Sequence, residues 1–176
     1  MSSRLRALLT CGILLTTGAI GTTALWSTTA ATTSGTFTTA NLEIKANGSV
    51  AHTFAFPGAL LPGNTTAYVV NVQNTGSVQF HYDAKVSSST ALGQAMRLRV
   101  VVDGTVSGTT CTSGTQIATN LAITGSPVAF ATNRGPLAAT TGTEALCMQL
   151  TLPSTAAGSL AGTSGSVTFT FDATGP

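Results

Sequence analysis

Residues 66–86 read TAYVVNVQNTGSVQFHYDAKV. Two strands stand in this stretch with a turn between them. Residues 66–74 are rich in Val and Tyr, which fit a pleated, half-buried surface. Asn74-Thr75-Gly76 ends that run with turn chemistry, since Asn bonds nearby backbone and Gly tolerates left-handed φ. Residues 78–86 then place Val78, Phe80 and Tyr82 on one face at a period of two. Two consecutive strands are therefore expected here.

Reading outward from this pair, the same period recurs. Leu42 and Ile44 flank Glu43, so a half-buried strand is expected over 41–46. Residues 50–56, VAHTFAF, alternate again. Leu61-Pro62-Gly63-Asn64 is a turn, with Pro and Gly placed as turn geometry requires. Met96, Leu98, Val100 and Val102 alternate with Arg97, Arg99 and Val101, and Asp103-Gly104 closes that strand. Residues 144–152 form another strand, stopped by Pro153. Val167, Phe169 and Phe171 alternate with Thr168, Thr170 and Asp172 near the end of the chain. The stretch 107–143 is rich in Gly, Thr and Ala, and reads as long loops with short edge strands near 116–123 and 127–131. No segment sustains a helical period. The expected fold is all-β, an antiparallel jelly-roll-like β-sandwich.

Composition agrees and excludes other classes. Of 176 residues only 7% are charged, while 43% are hydrophobic. Nucleic-acid binding needs a dense basic patch that this chain lacks. The apolar fraction is too high for a disordered chain. Thr alone numbers 34, beside 16 Ser and 19 Gly, a mixture that favours sheets and turns over helix bundles.

Residues 1–24 read as a signal peptide, with an alternative end at 30. Arg4 and Arg6 form a basic start, and residues 7–26 carry no charge. Thr22 and Ala24 are the small residues of the first cleavage site; Thr28 and Ala30 serve the second. A retained membrane anchor is the other reading of the run, weakened by Gly12, Gly18 and Gly21. Cleavage leaves no permanent membrane anchor and predicts a secreted or cell-surface protein. Residues 25–40 then form an uncharged, proline-free, β-prone arm, and 41–176 the sandwich domain. With Arg4 and Arg6 gone, Lys45, Lys85, Arg97, Arg99 and Arg134 balance Glu43, Asp83, Asp103, Glu144 and Asp172. A neutral surface raises no electrostatic barrier to self-association.

Cys11 falls in the signal, so Cys111 and Cys147 remain as an even pair. In an exported chain a disulfide is the expected state, and two buried free thiols are the alternative. The bridge would close a loop of about 37 residues and contribute roughly 4 kcal/mol on the loop-entropy model. Metal binding is not expected, because the two cysteines are widely spaced and no His lies near them. Nor is an enzyme expected. His52 and His81 are the only bases of their kind, each placed opposite apolar neighbours on a strand, and no nucleophile elbow is present. Arg97 and Arg99 share one strand face. A solvated sheet face is the plain reading, and contact with a polyanion the alternative. Asn47-Gly48-Ser49 and Asn64-Thr65-Thr66 match the glycosylation sequon, but Asn-Gly beside a strand is first a turn signal.

Four stretches, in order along the chain, resemble the TasA/camelysin family of exported Gram-positive surface and biofilm-matrix proteins. They are 21–46 (GTTALWSTTAATTSGTFTTANLEIKA), Leu61-Pro62-Gly63-Asn64, 70–76 (VNVQNTG) and 167–174 (VTFTFDAT). The matching positions include Leu42, Pro62, Gly63, Asn74, Gly76, Phe169 and Phe171. This chain departs from the family in Ala40-Asn41 before the first strand, in Glu43 for Asp, in lacking a charged central insert, and in its cysteine pair. It carries no H-E-x-x-H on which a zinc protease activity could rest. The resemblance implies a signal cut by a dedicated signal peptidase. It also implies a jelly-roll subunit or accessory of extracellular fibres, joined by N-terminal strand exchange with itself or with related matrix subunits, and no cofactor. Leu25, Trp26 and Phe37 would anchor the donated arm. A monomeric secreted module that recognises a glycan or surface protein through its loops is the alternative.

Overall fold

The computed structural model describes residues 41–49, 51–56 and 60–175. All belong to one compact unit, Ala40–Pro176. The expected signal residues Thr22 and Ala24, and the arm residues Leu25, Trp26 and Phe37, lie outside the described residues.

Among the described residues eleven strands follow one another: β1 (Ile44–Ala46), β2 (Ala51–Phe56), β3 (Thr65–Asn74), β4 (Phe80–Ser87), β5 (Arg97–Val102), β6 (Thr105–Ser107), β7 (Thr110–Thr112), β8 (Thr115–Ala122), β9 (Val128–Leu137), β10 (Thr143–Thr151) and β11 (Gly165–Thr174). One short helix, α1 (Ala91–Ala95), is capped by the Thr90 side chain, which accepts from the Gly93 N–H. One sheet has the order β1-β3-β10-β5-β8, the other β2-β11-β4-β9, and β6 pairs with β7. Every pairing is antiparallel.

This order is a jelly roll. Leaving aside β1 and the β6–β7 hairpin, eight strands change sheet at every step but the one from β5 to β8, so that first and last pair in one and second and penultimate in the other. The cause is visible in β4, whose residues alternate buried and half-buried along its whole length. Phe80, Tyr82, Ala84 and Val86 from β4 meet Val70, Val72, Leu98, Val100, Leu146, Met148 and Leu150 of the facing sheet. Phe169 and Phe171 lie in the middle of this core, and Phe130 packs edge-on against both. Each such side chain contributes about 1.5–3 kcal/mol by leaving water.

Two expectations change. The strand expected over 41–46 begins only at Ile44, and Leu42 is exposed beyond the sandwich end. The segment 107–143, expected as mainly loops, supplies two full-length strands, β8 and β9. Both are edge strands, so only one face of each meets the core and Thr, Asn and Gly suffice on the other. Asn47-Gly48 does form the expected tight turn, with both residues at positive φ (50° and 80°) as a type I′ turn requires. It carries the chain from the first sheet into the second.

Candidate functional site

The outer face of the five-stranded sheet divides into a covered half and a cleft. In the covered half Val101 on β5, Cys147 on β10 and Val69 and Ala67 on β3 make a small second core. The β6–β7 hairpin lies over it and is bonded to it by the Cys111–Cys147 disulfide, with Cα atoms 5.8 Å apart. This explains why Val101, in line with Arg97 and Arg99, is buried while they are not.

The hairpin's edge is fastened to the uncovered half by polar groups. Arg99 donates from NH1 to the Cys111 carbonyl at 2.8 Å and to Gln149 Oε1 at 3.3 Å, and from Nε to Gln116 Oε1 at 2.7 Å. The Cys111 N–H donates to Gln149 Oε1 at 2.9 Å. Beyond this edge the outward side chains of β5 and β10 lie in register, Arg99 opposite Gln149 and Arg97 opposite Thr151. Together with Thr119, Asn120, Pro153 and Ser154 they line a cleft of about 360 Å³. The β5–β8 pairing slips between Leu98 and Val100, and Asn120 there takes φ 48°. Bulges of this kind re-aim side chains at sheet edges, here along the cleft wall. No ion pair among the described residues involves either arginine, and the Arg97 guanidinium has no hydrogen-bond partner among them. The arginine pair was legible in the sequence; Gln149, Thr151, Asn120 and Ser154 were not, because they reach the cleft from other strands.

Of the residues at the positions that carry the resemblance, Pro62 and Gly63 precede β3, Leu42, Asn74 and Gly76 lie at its far end, and Phe169 and Phe171 lie in the core on β11 of the other sheet. Asn74 is buried, donates through Nδ2 to the carbonyls of Val78 and Leu137, and accepts from the Gly76 N–H at 2.9 Å. A Cβ on Gly76 would collide with the Asn41 carbonyl and the Glu43 nitrogen, so glycine lets the entering chain lie against this turn. Pro62-Gly63 turns at φ 91°, and the Gly63 N–H donates to the Leu152 carbonyl. These residues position β3 and its neighbours.

Pairing along the outer edge of β3 is incomplete among the described residues. β1 covers it at Val72, Gln73 and Asn74. Asn47 then stands in for a strand residue: its N–H donates to the Asn71 carbonyl, its Oδ1 accepts from the Asn71 N–H, and its Nδ2 reaches the Val69 carbonyl. No described strand pairs with that edge over 65–68.

One polar cluster joins the two sheets. Glu144 on β10 accepts from the Tyr82 hydroxyl of β4 and is paired with Arg134 of β9. Burial and the Glu144 carboxylate hold the Tyr82 hydroxyl far above the ordinary tyrosine range. His81 is half-buried, with Nδ1 shielded from solvent and unpaired among the described residues, rather than turned wholly outward. Among the described residues no group of three or more His, Cys, Asp or Glu side chains comes together as a metal site.

The fold and these surfaces define a disulfide-braced jelly-roll sandwich with a cationic cleft on one outer face. No family model and no curated protein matches the chain. Among solved structures it is similar to a chain in "Structure of infectious bursal disease virus Gx strain", at 10% identity and a TM-score of 0.37. That match covers 77% of this chain and 31% of the other, and at this score it bears on neither fold nor function.

Proposed function

We propose that this protein is an exported structural subunit or accessory of extracellular matrix fibres, assembled by N-terminal strand exchange. The observation that carries the reading is the incompletely paired edge of β3. Asn71 gives both its N–H and its carbonyl to Asn47, so odd-numbered residues of β3 aim their backbone groups outward. By the same period Ala67 presents a donor and an acceptor to an incoming strand.

Direction supports a donor from a second copy. β1 runs antiparallel to β3 with Ile44 opposite Asn74. Residues 41–43 run along the turn that follows β3, where the Thr75 N–H donates to the Glu43 carbonyl and the Ser77 N–H to the Asn41 carbonyl, and not along 65–68. The arm at 25–40 is uncharged and proline-free, with Trp26 and Phe37 as anchors, and an extended arm of that length reaches about 50 Å. Main-chain bonds would supply affinity and side-chain pockets the register. The resemblance of 21–46, 61–64 and 70–76 to TasA/camelysin proteins supports the same reading.

Protein beginning at Leu25 is expected to form filaments visible by electron microscopy, and protein beginning at Leu42 is expected to form none. Ala67→Pro removes one outward N–H from the stretch of β3 that no described strand covers, so no ladder bond among the described strands is lost. It should leave the monomer folded by circular dichroism and stop filament growth. Filaments of equal abundance from both starting points would sink the strand-exchange reading. A stable monomer at high concentration by light scattering would favour a secreted binding module instead.

A further inference from the structure

We infer that the cleft on the outer face of the five-stranded sheet binds a carboxylate-bearing polysaccharide, such as a chain of uronic acid residues. The inference is independent of fibre formation. Its charge, its lining and its shape carry it.

Two guanidinium groups stand two residues apart on one strand, and neither has an acid beside it. Four of the five acidic side chains are engaged elsewhere: Glu43 with Lys45, Asp172 with Lys85 and Glu144 with Arg134, while Asp83 accepts from the Asn133 N–H; the fifth, Asp103, is exposed just past the far end of β5 from Arg97. Positive charge in the cleft is thus left for a ligand to neutralise. Arg99 is held in place by Gln116, Gln149 and the Cys111 carbonyl, so it costs little entropy to use. Arg97 keeps its whole fork, the geometry that matches a carboxylate with two parallel bonds.

The rest of the lining selects among anions. Thr119, Asn120, Thr151 and Ser154 offer hydroxyls and an amide, and Pro153 offers an apolar wall. That set suits the hydroxyls and the ring face of a sugar. The cleft carries no aromatic side chain on which a base could stack, and two charges are too few for a phosphate polymer. Its volume of about 360 Å³ sits at the small end of ligand pockets, enough for one or two sugar rings. The hairpin closes one end of the cleft through the disulfide, so the ligand would lie along β5 and β10 on the side away from Cys111.

The test is calorimetric titration of the full secreted chain with galacturonate oligomers, with neutral galactose oligomers and polyglutamate as comparisons. Galacturonate is expected to bind, and the two comparisons to bind at least about tenfold more weakly, the value of a charge-assisted forked contact. Arg97→Ala should lose about tenfold or more in affinity, and Arg97→Lys nearly as much, because an ammonium cannot fork. Asn120→Gly keeps the positive φ, removes the amide and should cost several-fold. Lys85→Ala, on the opposite sheet, should change nothing. Thermal unfolding checks that each variant folds, and Arg97→Lys with Asn120→Gly carry the test should Arg97→Ala not fold. Absent binding, equal binding of either comparison polymer, or unchanged affinity in both Arg97 variants would overturn the assignment.

Discussion

The outer faces of the two sheets carry charge in opposite ways. On the four-stranded sheet Asp83 and Asp172 stand directly opposite each other, which alone would be unfavourable. Lys85 lies beside them, donates to Asp172 at 2.7 Å, and has its own pKa raised by that bond. The Asn133 N–H satisfies Asp83 at 2.8 Å. Charge on this face is closed on itself. On the five-stranded sheet Arg97 and Arg99 have no acid near them, and a covalently attached hairpin occupies the adjoining ground. The first face is a solvated surface. The second carries a covalently attached layer over part of its area, and beside it two cations with no ion pair among the described residues.

Breaking the bridge tests this contrast most severely. Cys147→Ser should lower unfolding free energy by about 4 kcal/mol, since it opens a loop of about 37 residues and loosens the hairpin. Thermal unfolding of oxidised wild-type and variant protein measures it. A drop under about 1 kcal/mol would mean that the hairpin is held by its other contacts.

The cluster between the sheets gives the next effect. Tyr82→Phe removes a bond to a charged acceptor, worth about 1.5–3 kcal/mol. It also changes the response to alkali. The folded Tyr82 hydroxyl titrates far above the unfolded value near 10, and buried Tyr68 is raised as well by desolvation. Below about pH 10 both folded and unfolded states keep these protons, and stability is fully present. As pH rises beyond that, only the unfolded chain releases them, so stability falls. Denaturant titrations between pH 8 and 12 should show this decline, shallower in Tyr82→Phe and still present through Tyr68. An unchanged slope in the variant would remove Tyr82 from this account.

The smallest effects separate the two faces directly. Arg99→Ala should cost about 1–2 kcal/mol, because it leaves the Cys111 carbonyl and the Gln116 amide without their donor. Lys85→Ala should lower the melting temperature only slightly at neutral pH, since its ion pair is exposed and screened. Equal shifts from the two substitutions would erase the distinction between a fastened face and a solvated one.

Much of the fold could be read from local patterns. β3, β4, β5, β10 and β11 announce themselves because each buries one face, which forces alternation. β8 and β9 were faint, since edge strands built of Thr, Asn, Ala and Gly carry little alternation to detect. The arginine pair of the cleft was visible through its two-residue spacing, whereas Asn120 and Ser154 join it only through a bulge and the chain after β10. Asn47 was legible as a turn residue and not as the side chain that extends an incomplete strand.

The sequence by itself determined that this is a sandwich of antiparallel strands with a cysteine pair, because period, turn chemistry and composition act over a few neighbouring residues. Tertiary structure alone decided the jelly-roll order, the hairpin laid over Val101, the clamp of Tyr82, Arg134 and Glu144 across the sheets, and the unneutralised charge of the cleft. Each of those depends on which distant strands become neighbours. Strand pairing is set by burial of whole faces at once, and no local window of the chain contains that information.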